Sequence, residues 1–518
     1  MPKKVKAKQK FFKTAGGLNS DIGQSIAATD KCIFITGNIS GNTACNFNNK
    51  NVDLKGNGDI FVAGLDHCGN QKFFKTAGGI STDDSVNVAA TDKGVFITGF
   101  ISGNTACMFN QEQITLKVNS DIFVAGLDHC GKQKFFKTAG SNLFETGSKI
   151  AATKKRVFVS GFIGGGTACM FNQEIITIKG TRDIFVAGLD QCGKQKFFVT
   201  AGSIGDNEAV QSMVATEKGV FVSGFIEGGT ACMFDKEIIS IKNAVSIYVA
   251  GLDHCGKQKF FVTAGGSIGN NIGRNVVATK KRVFATGIII GATACDFNDN
   301  IIKLKGDGDI FVSGLDHCGN QKFFKTAGGI LTDEGFGVAA TENNVFVTGI
   351  IRGTTACDFN AKNVELKGGG DIFVSGLDHC GNQKFFVTAG GISNEVGNSI
   401  VANEDGVFIT GFVNSSTGTD FKGCPIDIKG TSNVFVAGLD NCGKQKFFLT
   451  AGSANSAGLS IDVKDDKIFV SGNVSGETAT NFKGEVIGLK GNKDIFVTRI
   501  DDLCPKLQTA FRSKMSYF

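Results

Sequence analysis

A pair of phenylalanines, usually preceded by Gln-Lys, returns eight times at nearly constant spacing, and this period limits the fold more than any other feature of the chain. The first Phe of each pair is Phe11, Phe73, Phe135, Phe197, Phe260, Phe323, Phe385 and Phe447, with intervals of 62 or 63 residues. No linker or change of composition interrupts the series, so no inserted domain fits. Length alone would divide 518 residues into about three ordinary domains. The repeat replaces that division with one architecture.

Within one copy, residues 72–79 read KFFKTAGG, 87–92 read NVAATD, 95–101 read VFITGFI and 121–128 read DIFVAGLD. Each run is rich in Phe, Val, Ile and Thr and is bounded by Gly, Asp or Asn, which is a strand signature. VFITGFI and DIFVAGL carry apolar groups at consecutive positions. A strand apolar on both sides belongs to a sheet covered on both sides, as in a radial stack of small sheets. The NVAATD run and its counterparts hold small residues at Ala27, Ala28, Ala89, Ala90, Ala151, Ala152, Ala339 and Ala340, as strands crowded around an axis require. The chain has 71 Gly and 3 Pro, so the glycine reads as turn glycine and not as linker. With 47 Phe, 2 Tyr and no Trp, Phe carries the aromatic packing.

These patterns predict an all-β chain: an eight-bladed β-propeller with four antiparallel strands per blade. The first KFF strand precedes any complete blade, and the series ends on DIFVTRID at 494–501. The N-terminal strand is therefore expected to join the last blade as its outer strand, leaving no open edge. The expected divisions are a basic tail at 1–9, a propeller at 10–502 with repeats starting at 10, 72, 134, 196, 259, 322, 384 and 446, and a tail at 503–518.

The succession of Gly-Gly, an acidic residue, Ser-Ile-Ala, VFITG, a Phe-bearing loop, DIFVAGLD and a turn glycine resembles the SBBP repeat, a β-propeller family common in bacterial and some viral proteins. The resemblance spans about residues 8–502. It departs from the family in two ways: the family name implies seven blades, and Phe stands where its outer strand usually has Trp. It implies architecture and almost nothing about function.

All five histidines lie in one motif, DHCG: His67, His129, His254, His317 and His379. Two copies carry Gln191 and Asn441 instead. Adjacent His and Cys suggest a soft-metal pair, but neighbours in a tight turn diverge and structural zinc wants four ligands. The reading is a hairpin turn between third and fourth strands, capped by Asp, with Gly in the left-handed position; no metal is called for. A second cysteine set, in TAC, comprises Cys45, Cys107, Cys169, Cys232, Cys295 and Cys357. A strand of roughly 20 Å separates it from the DHCG set, whereas a disulfide needs Cα atoms within about 7 Å. Free thiols and a reducing compartment are expected.

The loop before the innermost strand varies most between copies. It holds Asp21, Asp83, Asp84, Glu145, Asp206, Asn207, Asn271, Asp333, Glu334 and Glu395. Bracing of the turn is the leading role for these groups, as the related repeats imply. Because the loops ring one mouth of the channel, they are also where a ligand or partner site would be sought first.

The net charge of +6 is mild and does not by itself require nucleic acid. Lysines beside the Phe pairs, such as Lys72 and Lys75, read as guards on edge strands, which makes nucleic acid an unlikely partner. The start, MPKKVKAKQK, has no apolar run after its lysines, so no secretory signal is expected. No stretch reaches the ~20 apolar residues of a membrane span. A cytoplasmic or virion location follows as an expectation. No nucleophile elbow, phosphate loop or HExxH motif occurs, and every His belongs to the recurrent turn, so neither catalytic residues nor a cofactor are expected. The function expected is a scaffold for protein–protein interaction or structural assembly. The richness in Phe, Asn, Ile and Lys fits the AT-rich genomes of large viruses, so a virus-particle component is included. Rival readings are a glycan-binding propeller, which the lack of Trp disfavours, a nucleic-acid-associated protein and a channel-mouth enzyme.

Overall fold

The doubly apolar runs become the second and third strands of each repeat, and both are buried almost throughout. The computed structural model describes residues 7–41, 43–116, 120–205, 208–266, 268–414 and 417–503. The chain is all-β, with no helix among those residues. Its first strands are β1 (Ala7–Gly17), β2 (Ile22–Ala28), β3 (Cys32–Ser40), β4 (Ala44–Cys45), β5 (Asn51–Val52), β6 (Gly58–Asp66) and β7 (Gln71–Gly79).

β2, β3, β6 and β7 form one antiparallel sheet in that order, with Ile33 opposite Leu65 and Ile60 opposite Ala77. The same four-strand order starts again from inner strands at Asp84–Thr91, Thr146–Ala152, Ala209–Thr216, Ile272–Ala278, Glu334–Ala340 and Val396–Asn403. The last group is composite. The second half of Gln445–Lys464 pairs with Lys467–Thr480, which pairs with Lys493–Asp502. The outer partner of Lys493–Asp502 is β1 from the other end of the chain, with Ala7 opposite Asp502 and Ala15 opposite Ile495.

Each inner strand carries a bulge, as at Gln24 between Gly23 and Ser25. The polar residue after the bulge reaches the next repeat. Val88 N donates to Ser25 Oγ (3.3 Å), Ile150 N to Asn87 Oδ1 (3.1 Å) and Val276 N to Ser212 Oγ (3.1 Å). The same contact joins the last repeat to the first, where Ile26 N donates to Ser460 Oγ at 3.2 Å.

The Phe pair works on both faces of the outer strand. Phe74 stacks on Phe61 of its own sheet, with centroids 5.4 Å apart. Phe73 lies between two glycines: a methyl group on Gly64 would fall 2.4 Å from its Cε1, and one on Gly131 of the next repeat 2.5 Å from its Cγ. Burying a Phe contributes roughly 2 to 3 kcal/mol, so each pair ties strands within a sheet and sheets to each other.

The TAC segment departs from the plain connection expected of it. β4 pairs with the end of β1, Gly16 opposite Cys45 and Gly17 opposite Ala44, and with β5, Cys45 opposite Asn51. This short hairpin extends the outer strand of the preceding repeat. The pairing recurs at Gly265 with Cys295 and at Gly328 with Cys357.

Candidate functional site

The loops leading from each outer strand to the next inner strand lie at one end of the repeated four-strand sheets. The acid that ends each loop is turned inward. Asp21 accepts hydrogen bonds from Gly17 N (2.7 Å) and Ser40 N (2.6 Å), so it links the outer strand of one repeat to the second strand of the next. Asp83 does the same with Gly79 N and Ser102 N, and Asp333 with Gly329 N and Arg352 N. Glu145 and Glu395 accept from Ser141 N and Gly391 N, both at 3.0 Å. Asn271 holds Gly266 N (3.0 Å) and Ile290 N (2.7 Å) and donates to Val245 O (2.7 Å).

These six side chains are completely buried. Bracing is the leading expectation for these positions, and the structure sets all six as braces, each accepting at least one backbone N–H. Asp84 and Glu334 begin inner strands and are half-buried, and Glu334 pairs with Arg274 of the preceding repeat. Asp206 and Asn207 lie outside the described residues. The brace of that repeat is Glu208, which accepts from Ser203 N and which the sequence reading passed over. Counting back from the inner strand across the one extra loop residue would have reached it. Ser456 takes the place in the last repeat, accepting from Ser453 N and Ser475 N, each at 3.3 Å.

A second buried carboxylate stands beside most braces. Asp59, which accepts from Lys55 N (2.8 Å) and Gly56 N (3.2 Å), is the neighbour of Asp83. Only the missing side chain of Gly78 leaves room for both: a methyl there would lie 2.7 Å from Asp83 Oδ2 and 3.0 Å from Asp59 Oδ1. Burial raises these groups, against the opposing pull of the backbone donors. Asp21 and Asp59 are pushed up to about 6, Asp83, Glu145 and Asp333 to about 7, and Glu208 to about 8.

With the acids inside, the loops show aliphatic side chains to solvent. Leu18, Ile80, Ile204, Ile330 and Ile392 directly follow the Gly-Gly or Gly-Ser step and Ile268 follows one residue later, with Leu143 and Phe144 filling the role in the third repeat. Their exposure runs from 42% at Leu143 to 82% at Ile204. Beside them, Ile175, Ile238, Ile301 and Val486 are exposed on the short hairpins. Leu143 and Ile175 line the same groove of about 750 Å³. Among the described residues of these loops, none with a charged side chain is exposed.

The DHCG turns lie at the opposite end. Asp66 Oδ1 accepts from Cys68 N and Asn70 N, both at 2.9 Å, and Gly69 takes the left-handed conformation with φ of 86°. His67 Nε2 donates to Thr29 O at 3.0 Å, tying this turn to the one between inner and second strands. Burial lowers the pKa of His67 and His317, which favours the neutral ring. Gln191 and Asn441 make the same bond through their amides, to Thr153 O (2.7 Å) and Glu404 O (2.9 Å). His129 also packs on Phe34 of the preceding repeat, with centroids 5.3 Å apart. All the described cysteines are unpaired.

No family model and no curated protein matches the chain. Among solved structures it is similar to the quinohemoprotein alcohol dehydrogenase ADHIIG from Pseudomonas putida HK5, at 10% identity and a TM-score of 0.33, over 97% of this chain and 77% of that one. It is also similar to the rhamnogalacturonan lyase YesW, at 9% identity and a TM-score of 0.24, over 93% of this chain and 90% of that one. The WD40 β-propeller domain of Doa1 aligns at 10% identity and a TM-score of 0.21, over 57% of this chain and 94% of that one.

Proposed function

We propose that the chain is a closed eight-bladed β-propeller and a non-enzymatic scaffold for protein–protein interaction, with the uncharged aliphatic loops as its docking face. Closure is supported by the pairing of β1 with Lys493–Asp502 and by the Ile26–Ser460 bond, which repeats between last and first copies the contact made between neighbours. The observation that carries the function is the set of exposed aliphatics around one mouth. Soluble monomers rarely show apolar patches beyond roughly 300 to 600 Å² without a partner for them, and a rigid scaffold that repeats one apolar group per loop suits a broad protein surface better than a small polar ligand.

The test replaces Ile80, Ile204, Ile330 and Ile392 by Asp together and compares what the two proteins retain from the native source. A stoichiometric partner held by the unaltered chain and lost by the variant, at unchanged circular dichroism, is the expected result. Equal retention by both would remove these loops as the docking face. Images down the axis should show eight lobes.

A further inference from the structure

The other mouth is charged, and its charges are unevenly distributed. The turns joining inner and second strands stand there; Asp30, Asp92, Lys154 and Glu217, from four consecutive repeats, line one hollow of about 540 Å³. The third and fifth repeats present Lys154-Lys155 and Lys280-Lys281, all exposed. The sixth presents Glu342, the seventh Glu404-Asp405 and the eighth Asp465-Asp466. The first, second and fourth each carry one acid and one lysine. One arc of the rim is therefore basic and the next acidic. Within the molecule Lys464 pairs with Asp30 of the first repeat (2.6 Å) and Lys467 lies 3.9 Å from Asp465, so these two lysines flank the acids of the eighth turn.

We propose that two copies of this chain stack through this mouth about a two-fold axis lying in the plane of the ring, passing between the first and second repeats and between the fifth and sixth. A two-fold stack reverses the order of repeats around the ring. In this register the third repeat faces the eighth, the fourth faces the seventh, the fifth faces the sixth, and the first faces the second. Lys154-Lys155 then meets Asp465-Asp466, and Lys280-Lys281 meets Glu342. The paired turns of the first and second repeats, each one acid and one lysine, meet head to tail. A ring of eight allows eight such registers, and this is the one that sets both double-lysine turns against acidic turns. Farther out, Lys257 comes opposite Lys444, both exposed and screened by water. The inference rests on the eight-repeat ring, and it leaves the aliphatic face open to a different partner.

Exposed ion pairs contribute little singly, so the charges act on register and encounter rate, and the association is sensitive to salt. Sedimentation velocity of the full chain at ~10 µM should show a dimer at ~20 mM salt and mostly monomer at ~500 mM, where the Debye length shrinks to a few ångströms. Lys154→Glu/Lys155→Glu should weaken the dimer at least ~10-fold at low salt, as should Asp465→Lys/Asp466→Lys, and an equimolar mixture of the two should restore it. Lys280→Glu/Lys281→Glu mixed with Glu342→Lys is a second, independent pair should either turn variant fail to fold. A monomer at low salt, a dimer indifferent to salt, or charge swaps that do not rescue one another would each overturn the stack. A ring with another number of lobes would instead overturn the propeller reading beneath it.

Discussion

Asp83 holds Gly79 N and Ser102 N from two adjacent repeats, and Asn271 does the same work with an amide, holding Gly266 N and Ile290 N. Asp83→Asn should therefore keep the bracing, whereas Asp83→Ala strands two buried donors at about 1 to 3 kcal/mol each. Burial lifts Asp83 from its ordinary value of 3.8 to about 7, so the folded chain binds this proton more tightly than the unfolded one. The stabilisation is fully present below the unfolded value and is lost as pH rises through about 7 for Asp83 and about 8 for Glu208. Thermal melts should fall between pH 5 and pH 8.5, and Asp83→Asn should melt with a shallower slope over the same interval. A melting point that rises with pH would contradict the assignment. The recurrence of the acid was legible in sequence; its direction was not, because it depends on the room left by Gly78 and on donors from another repeat. Glu208 escaped because Asp206 and Asn207, polar residues just before it, took its place in a loop with one extra residue. The role of the DHCG histidine was legible in hindsight from Gln191 and Asn441, since the three side chains share an N–H donor and have little else in common.

The strands themselves were plain from apolar residues at consecutive positions, and the crossing of Phe73 between sheets was implied by Phe on both faces of one strand. The β4–β5 hairpin was hidden for two reasons: segments of two residues have no period, and the partner strand lies about thirty residues upstream in another repeat. Its Cys45 and the turn Cys68 do occupy separate elements, β4 and the turn after β6, as the strand-length argument required. The packing of repeat on repeat can be tested at one glycine. Gly131 has φ of 83°, and a methyl there would fall 2.5 Å from Phe73 Cγ. Gly423 has φ of 76° with no atom within 4 Å of the same position. Alanine meets the same backbone strain at both sites but a ring only at the first. Gly131→Ala should cost roughly 2 to 4 kcal/mol and Gly423→Ala about 1 kcal/mol. Equal losses in urea denaturation would mean that the Phe73 ring yields without resistance.

At the scale of the whole molecule, eight Phe pairs with the first ahead of any complete repeat pointed to an N-terminal strand finishing the last sheet, and β1 does lie against Lys493–Asp502. The two faces were not legible, because the aliphatic loops were read through their acids and the turn charges differ from copy to copy. The value of this N-terminal strand follows from what it covers. Ala7, Phe11 and Ala15 are buried, Phe12 stacks on Phe496 with centroids 5.3 Å apart, and Thr498 Oγ1 donates to Phe11 O at 2.7 Å. Gln9 Oε1 accepts from Phe482 N at 2.8 Å, which anchors the strand to the hairpin of the last repeat. Phe11 also fills the space over Gly69, so the first repeat leans on the strand as well. Removing residues 1–16 would strip the outer edge from one sheet, leave unpaired those N–H and C=O groups of Lys493–Asp502 that face β1, and uncover Phe496 and Ile500. Melting should drop and lose cooperativity, aggregation should increase, and hydrogen exchange should accelerate first in Lys467–Asp502. A synthetic peptide of residues 1–17 added in trans should restore the melt, because strand pairing needs the sequence and not the covalent link. If the truncated chain melts like the full one, or if the peptide restores nothing, β1 does not close the ring.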